Sequence, residues 1–211
     1  PPPAPGGTAT KRGPRPSRPA SGGATCQGAG AAPDSALLYG SSTASPVVLG
    51  MSSDPERSNM RYVIRRERLP GPFGLPLLRP PWGHITAIDL NTGKIRWSAA
   101  NADTPEEIRE HEKLQNVELP PTGHEERSGL LVTKSLLFAG EGSGLYAANY
   151  GGTTFRALDT LTGESVADIE LGARQSGVHM TYAVDGRQFI VIAAGAPDRA
   201  GELIALALPV E

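Results

Sequence analysis

One short pattern is written twice in this chain. Ala87, Asp89, Thr92 and Gly93 return as Ala157, Asp159, Thr162 and Gly163, each displaced by the same 70 positions. A unit that recurs at fixed spacing cannot bury both of its faces alone, so copies must stack on one another as in a propeller or solenoid. The first copy runs on to a tryptophan, giving Ala-x-Asp-x-x-Thr-Gly-x-x-x-Trp with Trp97 at its end. Each residue type has a physical task. Alanine is small where sheets approach, Asp and Thr can bond a turn's backbone, glycine tolerates the turn's backbone angle, and an indole can dock on a neighbouring unit. In the second copy Ala167 stands where the tryptophan would be, so one docking contact is lost.

The rest of the chain has the same β character. Residues 36–39, 46–49 and 61–64 are short apolar runs that read as strands, followed by a Pro-rich passage from Leu69 to Pro81 that cannot be a central strand because proline supplies no ladder donor. Residues 84–97 form a predicted hairpin around Asn91-Thr92-Gly93. Residues 103–127 interrupt the pattern with eight acids against three bases. There Thr104 as cap, Pro105 in the first position and Glu107 three residues after the cap predict a short, mostly solvated helix in an insertion. Strands resume over 129–138 and 155–171 around a glycine-rich loop from Gly140 to Gly152, and three more are expected at 179–184, 188–192 and 202–208.

With 26 Gly, 20 Pro and only 5% aromatic residues, the composition suits many short strands and turns rather than a helical bundle. Residues 1–20 hold Lys11, Arg12, Arg15 and Arg18 among Pro and Gly, with almost nothing apolar to offset the entropy of ordering, and read as a disordered tail. A net charge of −2 gives no overall field to attract nucleic acid. No run approaches the roughly 20 apolar residues of a membrane span. The single cysteine, Cys26, cannot form an internal disulfide. Beginning at Pro1, the chain reads as a piece of a longer one.

The repeat resembles the tryptophan-docking motif of the pyrroloquinoline quinone (PQQ) dependent dehydrogenases, whose propeller has about eight four-stranded blades. Further passages are similar to the closing blades of that family in their usual order: LPGPFGLPLLRPPWGHITAIDLNTGKIRW, GLLVTKSLLFAGEG, FRALDTLTGE, MTYAVDGRQFIVIAAGA and ELIALALP. The resemblance covers residues 21–209 and points to the branch of membrane-associated glucose, polyol and quinate dehydrogenases. It implies an all-β fold, a partial propeller made of the last blades, with the insertion at 103–127. It also implies PQQ and Ca²⁺ as cofactors of the full-length enzyme, an alcohol or sugar substrate, a respiratory electron acceptor, the remaining blades as partners and a periplasmic location.

Two departures bear on the site. Gly22-Gly23-Ala24-Thr25-Cys26-Gln27-Gly28 resembles a family segment, Gly-Gly-x-Asn-Trp-x-Gly, whose Asn and Trp lie near the cofactor. Thr25 and Cys26 replace them. A threonine can still offer a hydroxyl, but cysteine lacks the flat indole surface that would lie beside the tricyclic ring. His179 stands where the family commonly has proline and reads as a substitution in a surface turn, the alternative being a functional histidine. In the resembled enzymes an alcohol gives hydride to PQQ with Ca²⁺ as Lewis acid and an Asp as general base, and those ligands and that Asp belong to earlier blades. Asp89 and Asp159 therefore read as structural turn residues, and no catalytic or metal residue is assigned. The four histidines have no zinc-ligand spacing, and residues 140–144 fit neither a dinucleotide fingerprint nor a nucleophile elbow. The expected function is that of a C-terminal fragment of a PQQ-dependent dehydrogenase, inactive by itself. The alternative is a noncatalytic propeller remnant or protein-interaction scaffold, which the substitutions at 25 and 26 favour.

Overall fold

The computed structural model describes residues 28–44, 46–69, 71–125, 128–141, 151–196 and 199–209. The tail at 1–20 and the pair Thr25 and Cys26 lie outside the described residues.

The chain divides into two compact units. The smaller is described over 44–79. Its strands, numbered as they fall in the whole chain, are β3 (Val47–Ser52) and β4 (Val63–Arg68), an antiparallel pair in register from Val47 opposite Arg68 to Ser52 opposite Val63. After β4 the Pro-rich passage forms a single 3₁₀ turn at Pro72–Gly74, and no strand is described there.

The larger unit holds three antiparallel sheets. The first contains β1 (Ala29–Ala32), β2 (Leu37–Thr43), β5 (Gly83–Asp89) and β6 (Ile95–Ala100), in the order β1-β2-β5-β6. The second contains β7 (Leu130–Val132), β8 (Leu136–Gly140), β9 (Thr154–Asp159) and β10 (Ser165–Glu170), again paired in chain order. In the third, the short β11 (Arg174–Gln175) and β12 (Met180–Val184) lie along one side of β13 (Arg187–Ala196), and β14 (Arg199–Ala207) lies along the other. Four-stranded meanders repeated along the chain are propeller blades, and the fold is all-β, a partial β-propeller.

Period-2 alternation lets one strand serve two interfaces. In β8, Leu137 and Ala139 face the first sheet, joining Leu37, Tyr39, Ile85 and Ala87, while Leu136 and Phe138 face the third, joining Phe155, Ile192, Ile204 and Leu206. The second sheet is thus apolar on both faces. Burying each such large side chain stabilises the stack by about 1.5–3 kcal/mol, and neither core exists without its neighbour sheet.

The insertion after β6 is helical but is not capped as the sequence predicts. Its helix, α1, spans Glu106–Arg109 and begins at Pro105 with no side-chain cap. The Thr104 hydroxyl donates instead to the Pro120 carbonyl at 3.2 Å, tying the two arms of the insertion together. A buried hydroxyl with a carbonyl across the loop gains more there than on a single-turn helix. Ile108 is buried, so α1 has one anchored face.

Candidate functional site

The duplicated motif builds the same turn twice. Asp89 Oδ1 accepts from the backbone N–H of Asn91 (2.8 Å) and Thr92 (3.0 Å), and Asp159 Oδ1 accepts from Leu161 (2.8 Å) and Thr162 (2.9 Å). The hydroxyls of Thr92 and Thr162 each accept from the residue two further on, at 3.3 Å in both copies. Gly93 and Gly163 hold φ of +67° and +76°, the left-handed region that favours glycine. With both amides aimed at one oxygen, the Asp159 carboxyl is held below the usual aspartate range, chiefly by the Thr162 N–H and then by that of Leu161. These carboxylates are spent on their own turns.

Trp97 links the two sheets. Its Nε1 donates to the Thr160 carbonyl at 3.0 Å, and its ring covers Gly163. Tyr39 donates its hydroxyl to the same carbonyl at 3.1 Å and packs against the indole. Ala87 and Ala157 are buried, one in each core, where a larger side chain would separate the sheets. In the second copy Ala167 is exposed on β10.

The buried polar groups of the larger unit gather towards one end. Of the ten buried polar or charged side chains described, all but Thr160 lie towards the end where β2 and β8 finish and β5 and β9 start, or in the segments beyond it: Ser41, Thr43, Asn101, Thr104, Thr122, Ser128, Glu141, Gln175 and His179. The apolar cores fill the middle of the stack, so the buried polar side chains gather at this end.

One group there is ionic. Arg156 reaches Glu141 at 2.5 Å, Asp168 at 3.4 Å and Asp103 at 3.8 Å, joining the exit of β8, the outer strand β10 and the insertion. Glu141 is buried, and burial raises its carboxyl above the usual range despite the guanidinium beside it. Asn101 Nδ2 donates to the Gly140 carbonyl at 3.3 Å, a second tie from the first sheet to the end of β8. His84 shares a 2.9 Å hydrogen bond with Ser42, and burial lowers its titration, as it does that of His124.

His179 is the other centre, and it corrects the surface-turn expectation. It is 3% exposed and edge-on to Phe155, with ring centroids 4.9 Å apart. Its Nε2 lies 2.9 Å from the Phe138 carbonyl and its Nδ1 2.7 Å from Gln175 Nε2. Burial pushes its pKa down to about 4. The sequence singles out His179 only as a departure from the family's proline and does not signal its burial or the Glu141–Arg156 pair, because their partners come from distant strands.

These donors and acceptors are mostly turned on one another. Gln175 Oε1, His84 Nδ1 and Thr122 Oγ1 are buried without a hydrogen-bond partner. Among the described residues no group of three or more His, Cys, Asp or Glu side chains is placed to hold a metal ion, and no helix is long and apolar enough to cross a membrane. Thr25 and Cys26, the positions that the resemblance places near a cofactor, lie outside the described residues. At the opposite end a half-open cleft of about 410 Å³ lies between the β1–β2, β7–β8 and β9–β10 turns, but Asp159 and Thr160 in its wall are already engaged.

Stacked four-stranded sheets joined by an indole on a repeated Asp-x-x-Thr-Gly turn define a run of tryptophan-docked propeller blades. Residues 19–190 match the PQQ family described as "Glucose/ethanol/alcohol dehydrogenase, beta-propeller domain", and the chain belongs to that family. It is 31% identical over 147 residues to the quinoprotein glucose dehydrogenase of Escherichia coli (strain K12), a match covering 65% of this chain and 17% of that protein. To the probable quinate dehydrogenase (quinone) of Xanthomonas campestris pv. juglandis it is 30% identical over 170 residues, covering 76% of this chain and 20% of the relative. The chain therefore spans about a fifth of the length of these relatives. In fold it is similar to the quinohemoprotein alcohol dehydrogenase from Comamonas testosteroni, with a TM-score of 0.53 at 18% identity over 93% of this chain and 26% of that one.

Proposed function

We propose that this chain supplies propeller blades to a periplasmic PQQ-dependent dehydrogenase that oxidises an alcohol or sugar, with Ca²⁺ beside the quinone, and that it is inactive alone. The observation that carries the reading is the docked repeat, Trp97 on the Thr160–Gly163 turn, within a continuous family match from 19 to 190. Coverage of about a fifth of the relatives' length supports the view that catalysis needs the remaining blades. Within such an assembly the chain's own residues have structural tasks: Trp97 and Tyr39 lock adjacent blades, and Arg156, Gln175 and His179 order the polar end. When bound, PQQ would supply the hydride acceptor.

The test is titration of the purified chain with PQQ and Ca²⁺, following cofactor absorbance and thermal stability, beside an artificial-acceptor dye assay with glucose and simple alcohols. No turnover alone, with activity once the missing blades are supplied, is the expected result. Saturable binding with dye reduction by the chain itself would overturn the inactivity. Lack of activity even with the full set of blades would favour the noncatalytic scaffold that Thr25 and Cys26 suggest.

A further inference from the structure

The hydrogen bonds around His179 form a relay whose every proton position is fixed. The Phe138 carbonyl can only accept, so His179 Nε2 carries a proton and donates to it at 2.9 Å. The Gly177 carbonyl can likewise only accept, which orients the Gln175 amide with Nε2 towards it at 2.6 Å. That same Nε2 then gives its second proton to His179 Nδ1 at 2.7 Å. The imidazole is neutral and has no place for another proton, since a proton on Nδ1 would face the Gln175 amide protons. Rotating the amide offers no escape, because it would turn Gln175 Oε1 against the Gly177 carbonyl.

The relay spans a seam. Phe138 belongs to β8 of the second sheet, whereas Gln175 and His179 flank the β11–β12 edge of the third. Phe155, under the imidazole edge, is fully buried in the core the two sheets share. Gln175 Oε1 is already buried without a partner beside Gly140, where even a Cβ would collide with it. The charged groups on the surrounding elements are Arg174 next to Gln175, Glu141 next to Gly140, and Arg156 next to Phe155, the last two paired with each other. His179 responds to burial first and, opposing it, to the bond with the Phe138 carbonyl.

We propose that His179 is an acid-sensitive latch between the second and third sheets: a second proton on its ring breaks the relay and opens this seam while the first and second sheets stay docked through Trp97. A histidine with a folded pKa of about 4, against an ordinary value near 6.5, favours the closed seam fully above about pH 6.5, and the preference is lost as pH falls towards 4. The opening equilibrium is then roughly 30-fold larger at pH 5 than at pH 8.

Hydrogen exchange followed by mass spectrometry, corrected for the intrinsic rate at each pH, measures this in the whole chain. Amides of 174–196 should lose roughly 30-fold in protection between pH 8 and pH 5, whereas any loss at 84–100, where His84 is also buried, should be the same in wild type and His179→Gln. His84 and His124 report on the first sheet and the insertion, so their protonation would register there. His179→Gln should remove the pH dependence at 174–196. Should that variant not fold, the wild-type His179 ring proton followed by NMR serves instead, and its resonance should stay neutral until 174–196 opens. Uniform loss of protection across all three sheets, unchanged pH dependence in His179→Gln, or a ring titrating near 6.5 with the seam intact would each overturn the latch.

Discussion

The indole of Trp97 lies so close over Gly163 that a Cβ built on that glycine would come within 2.6 Å of two ring carbons. The equivalent glycine of the first copy, Gly93, has the same left-handed backbone but open space where its Cβ would be. The pair separates two costs that usually arrive together. Gly93→Ala should lose about 1 kcal/mol, the strain of positive φ alone. Gly163→Ala should lose about 2–4 kcal/mol, since the indole must also move and its bond to Thr160 goes with it. Urea denaturation of the two variants checks this, and equal losses would mean that docking contributes nothing beyond the turn.

The aspartates of the repeat should behave as turn residues when titrated. Asp159 has a folded pKa below its unfolded one, so its contribution is present above the ordinary aspartate value and disappears as pH falls through the lower, folded value. Asp159→Ala removes the acceptor for both Leu161 and Thr162 and should lower the denaturation midpoint at neutral pH. Asp159→Asn keeps an oxygen there and should chiefly flatten the acid limb of the stability curve. If the wild-type and Asn curves stay parallel below pH 4, the carboxylate has no special tie to the turn.

Glu141 and Arg156 make an asymmetric pair. Arg156→Met leaves a carboxylate buried without its cation and should cost about 3–5 kcal/mol. Glu141→Gln removes the buried charge and leaves Arg156 with Asp168 and Asp103, and should change stability at pH 7 by no more than about 1 kcal/mol. The pH effect of Glu141 runs opposite to that of Asp159. Its folded pKa is raised, so the fold binds its proton more readily than the unfolded chain does, and stability from this group grows as pH falls through that value. A double-mutant cycle measured at pH 7 and again at pH 5 should show coupling that weakens on acidification.

What could be read from the chain and what could not divides along range of interaction. Asp89 with Thr92 and Asp159 with Thr162 are three residues apart, so residue type alone specifies the turn. Trp97 announced a docking partner because an indole at the end of a repeat has little else to do. β1 has no signal in the sequence: AGAA does not alternate, and it is a strand because it pairs with β2 and packs on β7, where a side chain on Gly30 would strike Val132. Thr104 has the sequence context of a cap, but its partner, Pro120, lies 16 residues on. His179 has the sequence context of a surface turn, but the Phe138 carbonyl that receives its proton is 41 residues away. Local chemistry was legible and burial created by stacking was not.

The third sheet carries the last prediction. Its face towards the second sheet holds Ile190, Ile192, Ile204 and Leu206. Its other face exposes Met180, Tyr182, Val184 and Leu203, the last at 76%, and among the described residues β14 pairs with β13 alone. An apolar sheet face beside an unpaired edge strand is a template for association. The chain should therefore self-associate as its concentration rises, seen as a concentration-dependent mass by light scattering after size-exclusion chromatography. Leu203→Lys places a charge on that face without touching either core, and should shift the chain towards monomer while leaving its urea midpoint within about 0.5 kcal/mol of wild type. A wild-type chain that stays monomeric at all concentrations would show that this face is covered from within.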